Sequence, residues 1–244
     1  MTRFLIVLRS LWSTINLFIS SLLSALAALV VIPFPFKHSA FNKIVRIWAN
    51  WNLLVSGIKV EVHGLENIKE SSYIIVSNHE SALDIFVLFS KIPLNFRMIA
   101  KGSLMQIPLV GFVMKKHLFP FVNKKEIKKT ITTVNQIFKE LREHHLSICI
   151  FPEGTRSGNK EILPFKKGAF VLALEHHLPI LPVILRGTGD ITPTHTLLVR
   201  SGKVIVNILP PIETQKCSLE HRDHLVKKTE NLFKDFLKNQ CYLA

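Results

Sequence analysis

The pattern of apolar and polar positions divides the chain into an N-terminal helical part and a longer part of alternating strands and helices. Residues 11–32 carry no charged side chain. As a helix they would measure about 33 Å, against about 30 Å for a bilayer core. Ser13, Asn16, Ser20 and Ser24 fall on one face of this helix, which predicts a seam packed against protein or headgroups. The segment therefore predicts a membrane anchor that crosses the bilayer or lies within one leaflet.

Two other interpretations of this apolar segment stay open. Arg3 and Arg9 could form the basic leader of a signal peptide, although the segment is longer than a typical signal core and no clean cleavage site follows. A buried core helix is the other alternative. The length and the flanking residues favour the membrane anchor.

A second amphipathic pattern follows Pro33 and Pro35, which end the first helix. In residues 41–56 one face carries Phe41, Ile44, Val45, Trp48, Trp51 and Val55, and the other face carries Lys43, Arg46 and Asn50. Tryptophan beside basic residues is typical of a helix at the membrane interface. The alternative is a surface helix docked on a core. Residues 1–57 are thus predicted to form a membrane-docking helical hairpin.

Short apolar runs alternate with helical patterns from residue 58 onward, and no linker or repeat marks a further domain. The predicted strands are residues 58–62, 73–77, 96–99, 118–122, 147–151, 180–185 and 203–209, and the predicted helices are residues 82–90, 127–145, 168–176 and 219–238. Such alternation predicts an α/β fold, with one domain (58–244) built on a largely parallel sheet flanked by helices.

Composition narrows the classes of function. The chain has 244 residues, 48% of them hydrophobic, and a formal net charge of +14. These values exclude intrinsic disorder and favour an anionic partner such as a membrane surface, a phosphorylated substrate or nucleic acid. Nucleic acid is disfavoured because the basic residues are scattered and no aromatic stacking motif accompanies them. The three cysteines are too widely spaced to predict a disulfide framework or a metal site.

The first candidate loop follows a predicted buried strand and contains His79 and Asp84. A histidine can act as a general base, and a carboxylate can orient it. Five residues of regular helix would set the two side chains about 140° apart, so His79 must lie on the turn before the helix that carries Asp84. The alternative is a helix cap, because Ser81 and Asp84 have the spacing of a capping box.

The second candidate loop, residues 151–157, also follows a predicted buried strand and has the sequence Phe-Pro-Glu-Gly-Thr-Arg-Ser. Ligands in α/β sheets bind beyond the carboxyl ends of strands, so both loops are expected to face one crevice. Arg156 offers a planar fork for phosphate or carboxylate, and backbone N–H groups near Gly154 can add donors. A surface ion pair between Glu153 and Arg156 is the alternative.

Four blocks of sequence, in this order, resemble the glycerolipid acyltransferase family, which includes the lysophosphatidate acyltransferases. They are Asn78-His79 with Asp84, residues 100–111, residues 151–157 and residues 178–183. The third block matches the family's FPEGTRS motif at every position. The resemblance covers about residues 58–211.

The resemblance implies a membrane-associated O-acyltransferase of phospholipid biosynthesis. It would transfer an acyl chain from acyl-CoA or acyl carrier protein to the hydroxyl of lysophosphatidate, giving phosphatidate, with its catalytic domain on the cytoplasmic face. His79 and Asp84 would be catalytic, and backbone donors at the start of the following helix would hold the oxyanion. The implied substrate-binding residues are Asn78, Lys101, Glu153, Gly154, Thr155 and Arg156. The resemblance implies no metal and no cofactor besides the acyl donor.

One departure from the family pattern concerns the acceptor. Family members commonly carry an Asp-Arg pair, whose arginine is assigned to the acceptor phosphate, where this chain has Phe121 and Val122. Lys124 or Lys125 could supply the charge as a point cation. The alternatives are an acyltransferase for another lyso-lipid, such as a lyso-ornithine lipid or a lysophospholipid, and a catalytically silent, membrane-docked lipid- or CoA-binding protein.

Overall fold

The computed structural model describes residues 3–70, 72–122, 137–158, 161–194, 196 and 198–240. The helices are α1 (Arg3–Val30), α2 (Lys37–Val55), α3 (Leu83–Lys91), α4 (Val110–Lys116), α5 (described over 137–143), α6 (Gly168–Glu175), α7 (Thr188–Ile191) and α8 (Arg222–Gln240). The strands are β1 (Ile58–His63), β2 (Ile74–Ser77), β3 (Phe96–Met98), β4 (Ala100–Lys101), β5 (Phe121–Val122), β6 (Ser147–Ile150), β7 (Ile180–Arg186) and β8 (Gly202–Ile208). Short 3₁₀ segments cover Leu65–Asn67, Gly102–Gln106 and Leu219–His221.

Six strands form one sheet in the order β1-β8-β7-β2-β6-β3, and every neighbouring pair is parallel except β7 and β8. Alternate residues of β2 point to opposite faces: Ile75 packs on the side of α3, and Ile74 and Val76 pack on the side of α6 and α8. The predicted α/β domain with a largely parallel, helix-covered sheet is therefore confirmed. Since β6 is the parallel neighbour of β2, the two candidate loops leave the same edge of the sheet.

The region before residue 123 differs from the predicted strand over residues 118–122. Leu118 has a backbone φ of 64°, and Phe119 is buried in an edge-to-face contact with Phe41. Only Phe121–Val122 is extended, and it pairs with β4 in a separate two-stranded sheet. The prediction failed because packing of Phe119 under α2 bends a segment that is apolar enough to resemble a strand. The predicted helix over 127–145 is described only from residue 137.

The N-terminal helices form the predicted hairpin, and the polar seam of α1 packs against α2. The Asn16 amide donates to Asn52 Oδ1 at 3.1 Å, and Asn52 Nδ2 donates to Ser20 Oγ at 3.0 Å. The hydroxyl of Ser56 donates to Ser13 Oγ at 3.2 Å. Ser13, Asn16 and Ser20 of the seam are thus hydrogen-bonded to protein, which is one of the two environments that the sequence predicted.

Much of the remaining α1 surface is apolar and exposed. Its exposed large side chains are Phe4, Leu5, Val7, Leu8, Leu11, Trp12, Ile15, Phe18, Ile19, Leu22, Leu23, Leu26 and Val30. The segment Phe4–Val30 is long and apolar enough to cross a membrane. The core-helix alternative is wrong, because a core helix would bury these side chains.

Helix α2 does not use the faces that its periodicity predicted. Arg46, expected on a free polar face, donates from Nη2 to the Ile92 carbonyl at 3.0 Å, and Asn50 Oδ1 accepts from Ser90 Oγ at 2.7 Å. Trp51, expected on the same face as the buried Phe41, is 50% exposed. The polar residues contact α3, since α2 is packed against both α1 and α3. Periodicity alone could not show that α2 contacts two helices, α1 on one side and α3 on another.

Candidate active site

His79 and Asp84 form a hydrogen-bonded pair at the carboxyl end of β2. His79 Nδ1 lies 2.7 Å from Asp84 Oδ2, and the exposed fractions of the two side chains are 17% and 0%. An ionised carboxylate can only accept, so Nδ1 carries the hydrogen and donates it. Nε2 then keeps its lone pair, which is the protonation pattern that a general base requires. As predicted, His79 lies on the turn and Asp84 lies in the first turn of α3.

Asp84 also caps the turn. Its Oδ2 accepts from the backbone N–H groups of Glu80 at 2.8 Å and Ser81 at 2.9 Å. One carboxylate therefore makes both the histidine contact that the catalytic interpretation requires and the backbone contacts of a cap. The hydrogen bonds of the cap fix the position of Oδ2, and this in turn fixes the imidazole ring.

Four backbone N–H groups at the start of α3 are not free to serve as the predicted oxyanion donors. The N–H groups of Glu80 and Ser81 are engaged by Asp84, the Leu83 N–H donates to Ser81 Oγ at 3.2 Å, and the Asp84 N–H donates to the Ser81 carbonyl at 3.3 Å. That expectation is wrong for these four donors, since the turn uses them internally. 

The second loop lies directly against His79. The Phe151 ring stacks on the imidazole with ring centroids 3.9 Å apart and planes 12° from parallel. The Ser157 N–H donates to the His79 carbonyl at 2.9 Å, and the His79 N–H donates to Glu153 Oε1 at 2.8 Å. The sequence predicted one shared crevice, and the structure brings the two loops into contact through these interactions.

Glu153 holds the second loop together instead of facing open space. Its Oε2 accepts from the Leu163 N–H at 3.1 Å while Oε1 accepts from His79. The residue is only 3% exposed, and this burial raises the pKa of Glu153 above the usual carboxyl range. The surface pair with Arg156 is therefore wrong. The geometry also gives no support to a substrate contact by this carboxylate, because both oxygens accept backbone hydrogen bonds.

Asn78 is likewise engaged by the protein. Its Nδ2 donates to the Leu185 carbonyl at 2.9 Å, and its Oδ1 accepts from the Leu185 N–H at 2.8 Å. Residue 78 is 1% exposed. This two-point contact with the end of β7 positions the His79 turn, so a direct substrate contact by the Asn78 side chain has no geometric support.

Three predicted binding residues do lie on the accessible side of the second loop. Thr155 and Arg156 are exposed, and Gly154 is partly exposed. Gly154 has a backbone φ of 69°, a conformation that favours glycine. A Cβ added there would lie 2.5 Å from the Lys166 ammonium nitrogen. Lys166, whose N–H donates to the Pro152 carbonyl at 2.8 Å, thus sets a second exposed cation beside this loop.

Lys101 lies apart from the two loops. It is exposed in β4, opposite Val122 in the small sheet, and no hydrogen bond joins it to either loop among the described residues. Phe121 and Val122 are half-buried and uncharged. Lys124 and Lys125, which could replace the family's arginine, lie outside the described residues.

Sequence reasoning missed two residues of this site. Phe151 was identified as a position of the motif but was given no role, although its ring stacks on the imidazole. Lys166 lies outside the four blocks of the resemblance. The signal in the sequence that could have pointed to it was a basic side chain directly after Pro164-Phe165.

Within the described ranges, no cluster of His, Cys, Asp and Glu could hold a metal ion.

Comparisons with known proteins identify the family that this chain resembles. A family model described as Acyltransferase matches residues 59–186. The 1-acyl-sn-glycerol-3-phosphate acyltransferase of Saccharomyces cerevisiae is 31% identical over 242 residues, which cover 98% of this chain and 80% of the yeast protein. The enzyme of the same name from Limnanthes alba is 31% identical over 211 residues, covering 85% of this chain and 74% of the plant protein.

One solved structure shares the fold. The crystal structure of the 1-acyl-sn-glycerophosphate (LPA) acyltransferase PlsC from Thermotoga maritima aligns with a TM-score of 0.81 over 98% of each chain, at 24% sequence identity. The likeness extends over the N-terminal hairpin as well as the α/β domain, since nearly the whole of both chains is covered.

Proposed function

From the premise that this chain belongs to the glycerolipid acyltransferase family and is an O-acyltransferase of phospholipid biosynthesis, we propose that it acylates lysophosphatidate to give phosphatidate. The observation that carries the proposal is the His79–Asp84 pair with the Arg156-bearing loop bound directly to its backbone. This arrangement sets a base beside an anion-binding loop, as the acylation of a phosphate-bearing alcohol requires. The pair also favours an enzyme over a catalytically silent binding protein.

The proposed reaction proceeds by direct transfer. Nε2 of His79 takes the proton from the acceptor hydroxyl, while Asp84 stabilises the imidazolium that forms. The acceptor oxygen attacks the thioester carbonyl and forms a tetrahedral intermediate. Collapse of the intermediate breaks the C–S bond, and the thiolate leaves with the proton returned by His79. No acyl-enzyme forms, because neither loop sets a Ser or Cys nucleophile in a hydrogen bond with the imidazole.

Arg156 and Lys166 would hold the acceptor phosphate. Arg156 is exposed on the loop that contacts His79, and Lys166 is exposed beside Gly154 of that loop. A guanidinium fork together with an ammonium suits a dianionic phosphate. Gly154 would let the phosphate approach the backbone, and Thr155 would add a hydroxyl donor. Glu153 and Asn78 would act as positioning residues, for the loop and for the turn respectively.

The hairpin of α1 and α2 would dock the enzyme on a membrane, from which the lyso-lipid enters the crevice. The exposed apolar face of α1 supports this proposal. A water-soluble acyl-CoA or acyl carrier protein would be the donor and would reach the site from the cytoplasmic side. The net charge of +14 suits these anionic donors.

An acceptor panel tests the proposal. Purified protein in detergent would receive labelled acyl-CoA, or acyl carrier protein in a parallel series. The acceptors would be lysophosphatidate, lysophosphatidylcholine or a lyso-ornithine lipid. His79→Ala should abolish turnover, and His224→Ala, an exposed histidine on α8, is the matched control.

The expected result is His79-dependent turnover with a clear preference for lysophosphatidate. The second candidate function is acylation of another lyso-lipid, which Phe121 and Val122 favour because they replace the family's Asp-Arg pair. Turnover of lysophosphatidylcholine or the lyso-ornithine lipid alone would select that function and overturn the first.

A further inference from the structure

A groove of about 690 Å³ lies between α2, β1 and the end of α3, and the mechanism does not use it. Its wall includes Ile47, Trp51 and Leu54, whose exposed fractions are 70%, 50% and 71%. Such large apolar side chains are rarely exposed together without a partner. The Trp51 indole N–H donates to Asn16 of α1 at 2.9 Å, so the groove adjoins the exposed apolar face of α1.

Charge in the groove is of one sign. Lys43, Arg46 and Lys91 line it, and no Asp or Glu is found among its described lining residues. Lys91 Nζ is 3.3 Å from Asn50 Oδ1, and the Arg46 guanidinium is anchored on backbone carbonyls. These contacts hold the cations in place and leave their charge without a neutralising carboxylate in the wall. Along α2 the cations Lys43 and Arg46 precede the apolar residues Trp51 and Leu54.

The groove is separate from the candidate active site. Lys91 ends α3, seven residues from Asp84, which corresponds to about 10 Å along the helix. In the sheet, β8 and β7 lie between β1 and β2, which sets β1 about 14 Å from the strand that carries His79. A molecule bound in the groove would therefore leave the imidazole accessible.

We propose that this groove binds one membrane phospholipid with an anionic headgroup. The phosphate would lie against Lys43, Arg46 and Lys91, and an acyl chain would lie along Ile47, Trp51 and Leu54. The arrangement suits an anionic amphiphile, because cations and exposed apolar side chains line the same groove. The proposal rests on the membrane association proposed above, and it adds a lipid selectivity that the apolar face of α1 alone would not give.

Fluorescence of Trp51 provides the test. The chain has three tryptophans, so Trp12→Phe with Trp48→Phe leaves Trp51 as the reporter in the full-length protein. The protein in detergent micelles is titrated with phosphatidylglycerol carrying brominated acyl chains, or with phosphatidylcholine carrying the same chains. Bromine quenches only nearby indole rings. If the double substitution impairs folding, wild type is compared with Trp51→Phe, and the part of the quenching that disappears in the variant is the part due to Trp51.

The expected result is half-maximal quenching at a phosphatidylglycerol fraction at least about tenfold below that of phosphatidylcholine. Lys43→Glu with Lys91→Glu should weaken quenching by phosphatidylglycerol at least about 25-fold, since each cation near an anionic lipid contributes about fivefold. Lys59→Glu is the matched control, because Lys59 is exposed on β1 between two groove residues and points to the other face. The Lys43→Glu/Lys91→Glu protein should retain acyl transfer to detergent-dispersed acceptor.

Equal quenching by the two lipids would overturn the proposal, and so would quenching by phosphatidylglycerol that is unchanged in the Lys43→Glu/Lys91→Glu protein. This readout does not depend on turnover. Selective quenching without acyl transfer would refute the proposed function and leave the groove site intact. Acyl transfer without selective quenching would refute the groove site and leave the proposed function intact.

Discussion

Replacing Asp84 by Asn changes the charge beside His79 and little else. Asp84 Oδ2 receives three hydrogen bonds, from the imidazole at 2.7 Å and from two backbone N–H groups at 2.8 and 2.9 Å. The amide oxygen of Asn can accept all three. Oδ1 is buried and has no hydrogen-bond partner among the described residues, so the new NH₂ group would occupy that position. The substitution therefore keeps the geometry and removes the negative charge.

The magnitude follows from that charge. Two unit charges about 4 Å apart interact by about 4 kcal/mol at an effective dielectric constant of 20. Loss of this stabilisation of the imidazolium corresponds to a decrease in kcat of about 10³-fold, within the range of general base catalysis. The buried, unpaired NH₂ group should lower the free energy of unfolding by about 1–3 kcal/mol. In a chain of this size that is a decrease in Tm of about 2–12 °C.

The assay measures initial rates of acyl transfer for wild type and Asp84→Asn well below the Tm of the variant, with folding verified by circular dichroism. KM for both substrates should change little, because Asp84 is fully buried. A variant that kept more than about a tenth of the wild-type kcat would refute the assignment of Asp84 as the residue that stabilises the imidazolium.

Three further predictions concern the second loop. Lys166→Ala should raise KM for a phosphate-bearing acceptor about tenfold and leave KM for the thioester unchanged; steady-state kinetics with Lys166→Arg as rescue checks this, and equal loss on both substrates would count against it. Phe151→Ala should lower kcat about tenfold or more, because the imidazole loses its stacked ring; Phe151→Leu, which keeps bulk without a stacking ring, should recover only part of the rate. Burial raises the pKa of Glu153, so the stability that this group contributes is present below the unfolded-state pKa of about 4.3 and is lost as the pH rises through the raised value. Chemical denaturation across that window should show wild type losing stability relative to Glu153→Gln, and parallel pH curves would contradict the burial argument.

The sheet was predictable because its strands are marked by short apolar runs and separated by helical patterns. β2, β6 and β7 are buried along nearly their full length and are flanked by polar turns. In contrast, α4 was missed. It is a short helix held by packing in the cluster that contains Phe41, Val113 and Phe119, and contacts of this kind with distant residues leave no local pattern.

The site was predictable as a pair of loops but not as a set of contacts. Both loops follow predicted strands, and ligands in α/β sheets bind beyond the carboxyl ends of strands, so His79 and Arg156 were expected in one crevice. The parallel pairing of β2 with β6 brings the two loops together. Glu153 accepts a hydrogen bond from the N–H of His79, which lies 74 positions away in the chain. A carboxylate in a motif gives no indication of which backbone N–H groups will donate to it. The sequence offered the cap and the pair with His79 as alternatives, and it did not show that Asp84 makes both sets of contacts.

The central claim is direct transfer activated by His79, and release of free CoA from labelled acyl-CoA tests it most directly. With wild type, thiol release should require lysophosphatidate and should equal the phosphatidate formed, with no initial burst and no labelled protein. His79→Ala should release no thiol under the same conditions, while His224→Ala should match wild type. A burst with acyl-labelled protein, or unchanged turnover by His79→Ala, would contradict the account.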